Sequence, residues 1–578
     1  MTQDLEPIRH SLAHLLAAAV LKHFPDAKRT IGPAIETGFY YDFEFPTPVT
    51  ADDLPRIEKT MKELLPTWTG FSHREVSPAE AREVFADNPY KLELIDEIAA
   101  KGEKLTLYTS GDFTDLCRGG HVENPSSIDP DSFKLDKLAG AYWRGDETKP
   151  MLTRIYGFAF ATPAELAAHL TMLEEAKKRD HKIIGPALDL FAFSDLVGSG
   201  LPLWTPRGTL VRNLLDDFVW SLRARYGYQK VEIPHITKKD LYITSGHWEK
   251  YQNDLFRIKT REGHEFAMKP MNCPHHTQIY ARRQHSYREL PQRYANTTTC
   301  YRDEQTGELS GLSRVRAFAQ DDAHVFCRMS QAKEEFLKIW DIIHEFYPPF
   351  GFGLTVRLSR HDPAHPEKYL GDPERWQTAE GILEDIVTEK GIDYIDGVGE
   401  AAFYGPKLDF LAHDSLGREW QVATIQLDMN MPERFDLTCV NEEGEKERIV
   451  MIHAAIMGSI ERFLSILIEH TAGALPLWLS PTQVRVLPIA DRHIEKAREI
   501  AATLRDAGLR VEVDESSESI GKKIRASETL KTPYAVVLGD KDIEAGVVSV
   551  RKRGGDDLGQ MSPTDLAERL RNESDAKA

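Results

Sequence analysis

The chain has 578 residues, 41% hydrophobic and 28% charged, an ordinary globular balance with room for roughly three to five domains. No apolar run approaches the roughly 20 residues of a membrane helix, the opening MTQDLEPIRH is no signal peptide, and five scattered cysteines point to a reducing cytosol rather than a disulfide framework. The net charge of −19 is unlike that of a typical nucleic-acid binder, but a basic groove acts locally, so charge neither supports nor excludes an RNA partner.

Residues 8–24 carry leucine and alanine at helical spacing, predicting an amphipathic helix with His10 and His14 on one face. A histidine pair alone is more often structural. Further on, DLCRGGH (115–121) adds Cys117 and His121, four apart in a glycine-containing loop, and the four together have the residue types of a metal site. Residues 172–184 read as a charged helical connector whose basic run is either a solvated face, the favoured reading, or a contact with an RNA backbone. Prolines and glycines between 186 and 206 mark entry to a new domain.

In KPMNCP (269–274) Cys273 stands between prolines, which predicts a fixed turn rather than a helix. TCYRDEQTGELSGLSRVRAFAQDDAHVFC (299–327) reads as two strands around a polar loop, 303–313, with Arg302, Arg314 and Arg316 at its mouth. Three guanidiniums there suit a polyphosphate, although a solvated hairpin with surface arginines fits the composition equally well. GVGEAA (397–402) imitates a dinucleotide fingerprint without the helix that should follow, so a turn is expected, and there is no GxxxxGK[ST] loop. Cys273, His324 and His453, taken singly, would each be structural, and Cys300, Cys327 and Cys439 are expected to be packing residues. From 475 the pattern alternates: strands at 484–489, 509–513, 534–538 and 546–551, helices at 494–507 and 521–530, hence a small mixed sheet with helices.

Three of these stretches together resemble the class II aminoacyl-tRNA synthetases in their threonyl form. The 299–327 hairpin is similar to motif 2. RGTLVRNLLDDFVWSLRARYGYQKVEIP (207–234) resembles motif 1, a helix and strand at a dimer interface, and GSIERF (458–463) resembles motif 3. The similarity runs from about His10 to the C-terminus. It implies a multidomain α+β chain: an α/β editing domain at 1–162, a linker helix at 163–184, a class II antiparallel-sheet catalytic domain at 185–475 and an α/β anticodon-binding domain at 476–578. The β-grasp domain that commonly precedes the editing domain is expected to be absent.

By the same resemblance, Cys273, His324 and His453 would ligate one Zn²⁺ per subunit. Such a three-ligand ion keeps an open position, so an amine with a β-hydroxyl can chelate it. Valine lacks the hydroxyl, and an apolar pocket alone discriminates isosteres only about 10²-fold. Serine lacks only a methyl, worth roughly 1–3 kcal/mol, so a second, hydrolytic site is expected. His10, His14, Lys91, Asp115, Cys117 and His121 would form it by holding water. Arg302 would contact the α-phosphate of ATP, Glu304 the adenine edge and Phe318 the ring, with Arg314 and Arg462 at the γ-phosphate and Mg²⁺ accompanying ATP. Asp322 would hold the substrate amine, with Met271, Gln320, Tyr404, Lys407, Gln421 and Gln426 around it. Asp542 and Arg551 would touch anticodon bases, although Ser517 replaces a common asparagine there. Other departures are Asp303, Val422, Ala317 and CRGGH for the usual CRGPH; none removes a charged or metal-binding group.

The expectation is a cytoplasmic, homodimeric enzyme acting on L-threonine, ATP and tRNA(Thr), with no membrane partner. Its rivals are a synthetase for another amino acid, a synthetase-like RNA-binding paralogue without ligase activity, and a metal hydrolase built on His10, His14, Cys117 and His121 alone.

Overall fold

The first helix, α1 (Glu6–His23), follows from its sequence: Pro7 sits in the first turn where its missing N–H is not needed, and Lys22 and His23 lie at the negative end of the dipole. A computed structural model of the chain describes residues 4–146 and 148–577, which fall into two compact units divided between Glu175 and Ala176. In the first unit α1 packs on β1 (Gly38–Glu44) and α2 (Leu54–Leu64). Phe39, Tyr41 and Phe43 alternate inward from β1 and are buried beside Leu12, Leu15 and Leu16 of α1. A second sheet has β2 (Ser72–Val76), β3 (Leu105–Ser110) and β4 (Phe113–Leu116), all antiparallel, with α3 (Pro89–Ala100) between the first two in sequence. The strands β5 (Phe133–Tyr142) and β6 (Met151–Ala159) extend the β1 sheet.

The expected connector is two helices, α4 (Pro163–Lys178) and α5 (His181–Ala187). The break between them is a cap: Asp180 accepts the Lys182 N–H at 2.8 Å. In the second unit α6 (Pro206–Arg225) opens on Thr205, whose hydroxyl accepts the Gly208 N–H at 3.1 Å, and leads to the edge strand β7 (Gln229–Lys230). Cys273 departs from expectation. It opens α7 (Cys273–Ala281) rather than a rigid turn, because Pro274 is accommodated in the first helical turn.

The large sheet also holds β8 (Gln292–Tyr301) and β9 (Ala317–Cys327), the two strands of the 299–327 hairpin. After α8 (Ala332–Phe346) come β10 (Gly353–Arg360), α9 (Pro373–Lys390) and β11 (Tyr394–Val398). The sheet is completed by β12 (Lys407–His413), β13 (Glu419–Asp428) and β14 (Val450–Ala455), before α10 (Ile460–Thr471). The spatial order is β7-β8-β9-β14-β13-β12-β10-β11, antiparallel except at the two ends. The GVGEAA segment ends β11 and turns at Gly399. Phe336, Ile339 and Ile343 of α8 and Phe463 and Leu467 of α10 form the core under this sheet.

The C-terminal residues form a mixed five-stranded sheet. It uses β15 (Val484–Pro488), α11 (Ile494–Asp506), β16 (Val511–Val513), α12 (Ile520–Thr529), β17 (Tyr534–Leu538), β18 (Val548–Lys552) and β19 (Asp557–Met561). The order is β16-β15-β17-β18-β19. No helix among the described residues is long and apolar enough to cross a membrane.

Candidate active and editing sites

In the first unit α1 presents His10 and His14, and the loop after β4 brings Cys117 and His121 to them. His14 is buried, its ring 5.1 Å from that of His10 and 4.6 Å from that of His121. Cys117 Sγ lies 3.5 Å from His10 Nε2 and 3.3 Å from His121 Nε2. Burial, which penalises charge, lowers His10, takes His14 to about 3 and His121 to about 2, and pushes the Cys117 thiol up to about 11. All four are therefore neutral near pH 7. Gly120 sits at φ 83, which a proline could not adopt, so CRGGH differs from CRGPH in backbone path as well as in residue.

Below this cluster lies a buried charged knot. Asp115 takes Lys91 at 2.7 Å, the Tyr41 hydroxyl at 2.5 Å and Arg29 at 3.3 Å. Burial acts to raise the Asp115 carboxyl, but Lys91 and Arg29 outweigh it and hold it well below the usual range. Asn88 caps α3 by accepting the Lys91 N–H at 3.2 Å, which fixes where Lys91 starts. A cavity of about 460 Å³ runs past His10, His14, Tyr41, Lys91, Asp115 and Cys117. His14 Nδ1 is buried without a hydrogen-bond partner.

In the second unit, three residues far apart in sequence converge because of the sheet. His324 on β9 and His453 on β14 are direct register partners, and Cys273 enters from the start of α7. All three are buried, with ligand atoms within 4.8 Å of one another. The outer nitrogens are held: His324 Nδ1 meets His276 Nδ1 at 2.8 Å, and His453 Nε2 meets Asp428 Oδ2 at 3.0 Å. That leaves one nitrogen of each ring free, the arrangement in which second partners orient metal-binding imidazoles. A Cys/His/His set of this kind fits zinc with an open position. A cavity of about 110 Å³ adjoins it, lined by Met271, Arg302, Gln320, Asp322, Tyr404 and Gln426 among others. Asp322 Oδ2 accepts Asn272 Nδ2 at 3.1 Å, and Asn272 Oδ1 accepts the buried Lys269 ammonium at 2.9 Å.

Comparison with known proteins matches three stretches to family models. Residues 105–156 match the threonyl and alanyl tRNA synthetase second additional domain, 256–471 the class II tRNA synthetase core domain (G, H, P, S and T), and 483–573 the anticodon binding domain. Curated threonine–tRNA ligases align along nearly the whole chain. That of Porphyromonas gingivalis is 50% identical over 98% of this chain and 87% of its own length, and that of Rubrobacter xylanophilus is 49% identical over 100% and 90%. The chain belongs to the threonine–tRNA ligase family. Solved structures agree. The RNA binding domain of the Cryptosporidium parvum threonyl-tRNA synthetase is 37% identical, covers 68% of this chain and 98% of its own, and gives a TM-score of 0.65. A putative threonyl-tRNA synthetase from Aeropyrum pernix is 32% identical, covers 69% and 97%, and gives 0.62.

Against that family pattern, the remaining expected residues are distributed as follows. Phe318 stacks under the Arg302 guanidinium at 5.2 Å. Glu304 and Arg314 pair with each other at 2.7 Å in the hairpin loop. Arg462 is exposed near the start of α10, which Ser459 caps by accepting the Arg462 N–H at 3.1 Å. Lys407 and Gln421 are not among the residues around the 110 Å³ cavity; both turn to Asp409. On the short helix Asp540–Ala545, between β17 and β18, Asp542 is buried and accepts the Gly539 N–H, the Ser549 hydroxyl and the Gln560 amide at 2.8–2.9 Å. Arg551 is half-buried on β18.

Sequence reasoning missed Tyr41, Arg29, His276, Asp428 and Asp409. For Asp409 one signal existed: it stands two residues from Lys407 on a strand and so shares its face. It also missed His181, whose Nδ1 donates to Glu469 at 2.6 Å while Nε2 accepts the Leu312 N–H at 3.0 Å. Asp180, His181 and Glu469 have metal-ligand spacing, but both ring nitrogens are already engaged.

Proposed function

We infer that the chain activates L-threonine with ATP, transfers it to the 3′ end of tRNA(Thr), and hydrolyses seryl-tRNA(Thr) formed in error. One observation carries this reading: a Cys/His/His cluster beside the Asp322 cavity and a neutral His/Cys cavity over the Asp115 knot occur in one chain of this family.

In the activation step the threonine carboxylate attacks the α-phosphorus of ATP, forming threonyl-adenylate and releasing pyrophosphate. Arg302 stabilises the charge that develops on the α-phosphate, with Mg²⁺ bound to ATP. Glu304 takes the adenine edge, Phe318 stacks on the ring, and Arg314 and Arg462 hold the γ-phosphate. Asp322 receives the substrate amine, and Met271, Gln320, Tyr404 and Gln426 shape the pocket, while Gln421 and Lys407, held on Asp409 outside the cavity lining, support it. Cys273, His324 and His453 would hold one Zn²⁺ per subunit, which when bound supplies a Lewis-acid contact for the amine and β-hydroxyl. The 3′-terminal hydroxyl of tRNA then attacks the adenylate carbonyl, and AMP leaves. In the other unit His10, His14, Cys117 and His121, with Lys91 and Asp115 beneath them, hold the water that cleaves the seryl ester. Asp542 orders the β18 surface from which Arg551 reaches anticodon bases. The enzyme works in the cytoplasm as a homodimer joined through the α6–β7 segment.

Pyrophosphate exchange on the purified chain with threonine, serine and valine, with metal content read in parallel, tests this. The expected result is exchange with threonine, less with serine and almost none with valine, at one zinc per chain. No exchange with any amino acid from folded, zinc-loaded protein would favour an RNA-binding role instead, and two zinc ions per chain would make the editing cavity a metal hydrolase.

A further inference from the structure

The strands β10, β12 and β13 are cross-linked by one carboxylate. Asp409 is fully buried, and its neighbours in lateral register are Arg357 on β10 and Thr424 on β13. Its Oδ1 accepts Gln421 Nε2 at 2.7 Å and the Thr424 hydroxyl at 2.8 Å. Its Oδ2 accepts the Ser359 hydroxyl at 2.8 Å, Lys407 Nζ at 2.7 Å and Arg357 Nη2 at 3.3 Å. Five donors, two of them cations, saturate the lone pairs of one carboxylate. Asp409 thus has no capacity left to bind a substrate or a metal.

The sheet is distorted to make this possible. The register of β12 with β13 shifts between Phe410 and Leu411, so that Phe410 faces Ala423 but Leu411 faces Gln421. Val422 is the extra residue. Without that bulge, Gln421 and Thr424 would point to opposite faces of β13. With it, both reach Asp409 Oδ1. The Gln421 amide is also held at its far end, since its Oε1 accepts Arg357 Nη2 at 3.0 Å. Thr424 itself lines the cavity beside Cys273, His324 and His453.

We propose that Asp409 is a positioning residue for threonine activation: it fixes the Lys407 ammonium directly and, with Arg357, fixes both ends of the Gln421 amide, which also donates to Thr424 of the cavity wall at 3.3 Å. Lysine carries a flexible four-carbon stem, and a misplacement of about 1 Å at a reacting site can cost about 10²-fold. A buried partner of opposite charge removes that freedom. The proposal rests on the roles given above to Lys407 and Gln421, and its test separates the two.

Asp409→Asn keeps the volume and one acceptor oxygen while turning an amide NH₂ toward Ser359, Lys407 and Arg357. Threonine-dependent pyrophosphate exchange, with kcat and KM resolved, is measured for wild type, D409N, K407A and the double variant. Positioning predicts that kcat falls about 10²-fold in D409N, comparably in K407A, and little further in the double, because residues acting as a unit are not additive. Normal kcat in D409N beside an impaired K407A overturns the proposal while leaving the Lys407 role intact, as does a double variant whose losses multiply. An unimpaired K407A overturns the Lys407 role and the proposal together. Where D409N does not fold, Arg357→Met carries the test by freeing the Gln421 carbonyl: a kcat loss is expected, and a wild-type kcat overturns the proposal.

Discussion

Asp115 and Lys91 show how one pair of residues sets the chemistry of the first unit. Both are buried, and each offsets the other's desolvation. Removing one partner of such a pair costs about 3–5 kcal/mol, because the survivor stays buried and unpaired. Asp115→Ala is therefore expected to lower the stability of the first unit by that order, read as an earlier transition in calorimetry of the whole chain. Asp115→Ala together with Lys91→Met should recover part of the loss; a double variant worse than the single would contradict the pairing.

The histidines make a second prediction at this scale. Their folded-state values lie below the ordinary value of about 6.5, His14 at about 3 and His121 at about 2. The unfolded chain thus binds protons first as pH falls. Their contribution to stability is complete above about pH 6.5 and is lost as pH falls from there toward about 3. Near pH 6.5 these rings are neutral in the folded protein. Single-turnover hydrolysis of seryl-tRNA should accordingly show no inflection near the ordinary histidine value. A tenfold fall per pH unit beginning there would mean that an unshifted imidazole does the work.

At the level of elements, His181 ties three pieces together: the start of α5, the hairpin loop through Leu312 and the end of α10 through Glu469. One hydrogen bond is worth about 1 kcal/mol, so His181→Ala should loosen the loop and raise KM for ATP roughly fivefold, with KM for threonine little changed. Equal effects on both would show general damage rather than loss of loop support. Much at this scale was legible in the sequence. The strands of the hairpin announced themselves through β-branched and aromatic runs, and β17 was read at its observed bounds, Tyr534–Leu538. The turn expected at Cys273 from its flanking prolines is instead a helix start, because the second position of a helix accepts Pro274. Nor could spacing join His324 to His453. Only their pairing across β9 and β14 does so, and strand pairing is a property of the sheet rather than of either segment. The family resemblance supplied that link. Asp409, His276 and Asp428 stayed hidden for the same reason, since their partners lie on neighbouring elements.

For the whole molecule, discrimination is divided between two sites of different chemistry. An activation pocket that recognises a β-hydroxyl rejects valine by leaving polar groups unpaired, but it separates threonine from serine by only one methyl, roughly 1–3 kcal/mol. The first unit carries a cavity whose histidines and cysteine are neutral at working pH, suited to holding water against an ester rather than to forming a covalent intermediate. Its removal from function should leave activation untouched. The most direct measurement is the yield of seryl-tRNA(Thr) when wild type and His10→Ala are given serine, ATP and tRNA(Thr), with threonine-dependent pyrophosphate exchange followed in both. The account predicts no lasting seryl-tRNA with wild type, its accumulation with His10→Ala, and equal exchange rates. Seryl-tRNA accumulating equally with both, or with neither while serine is activated, would contradict the assignment of correction to this cavity.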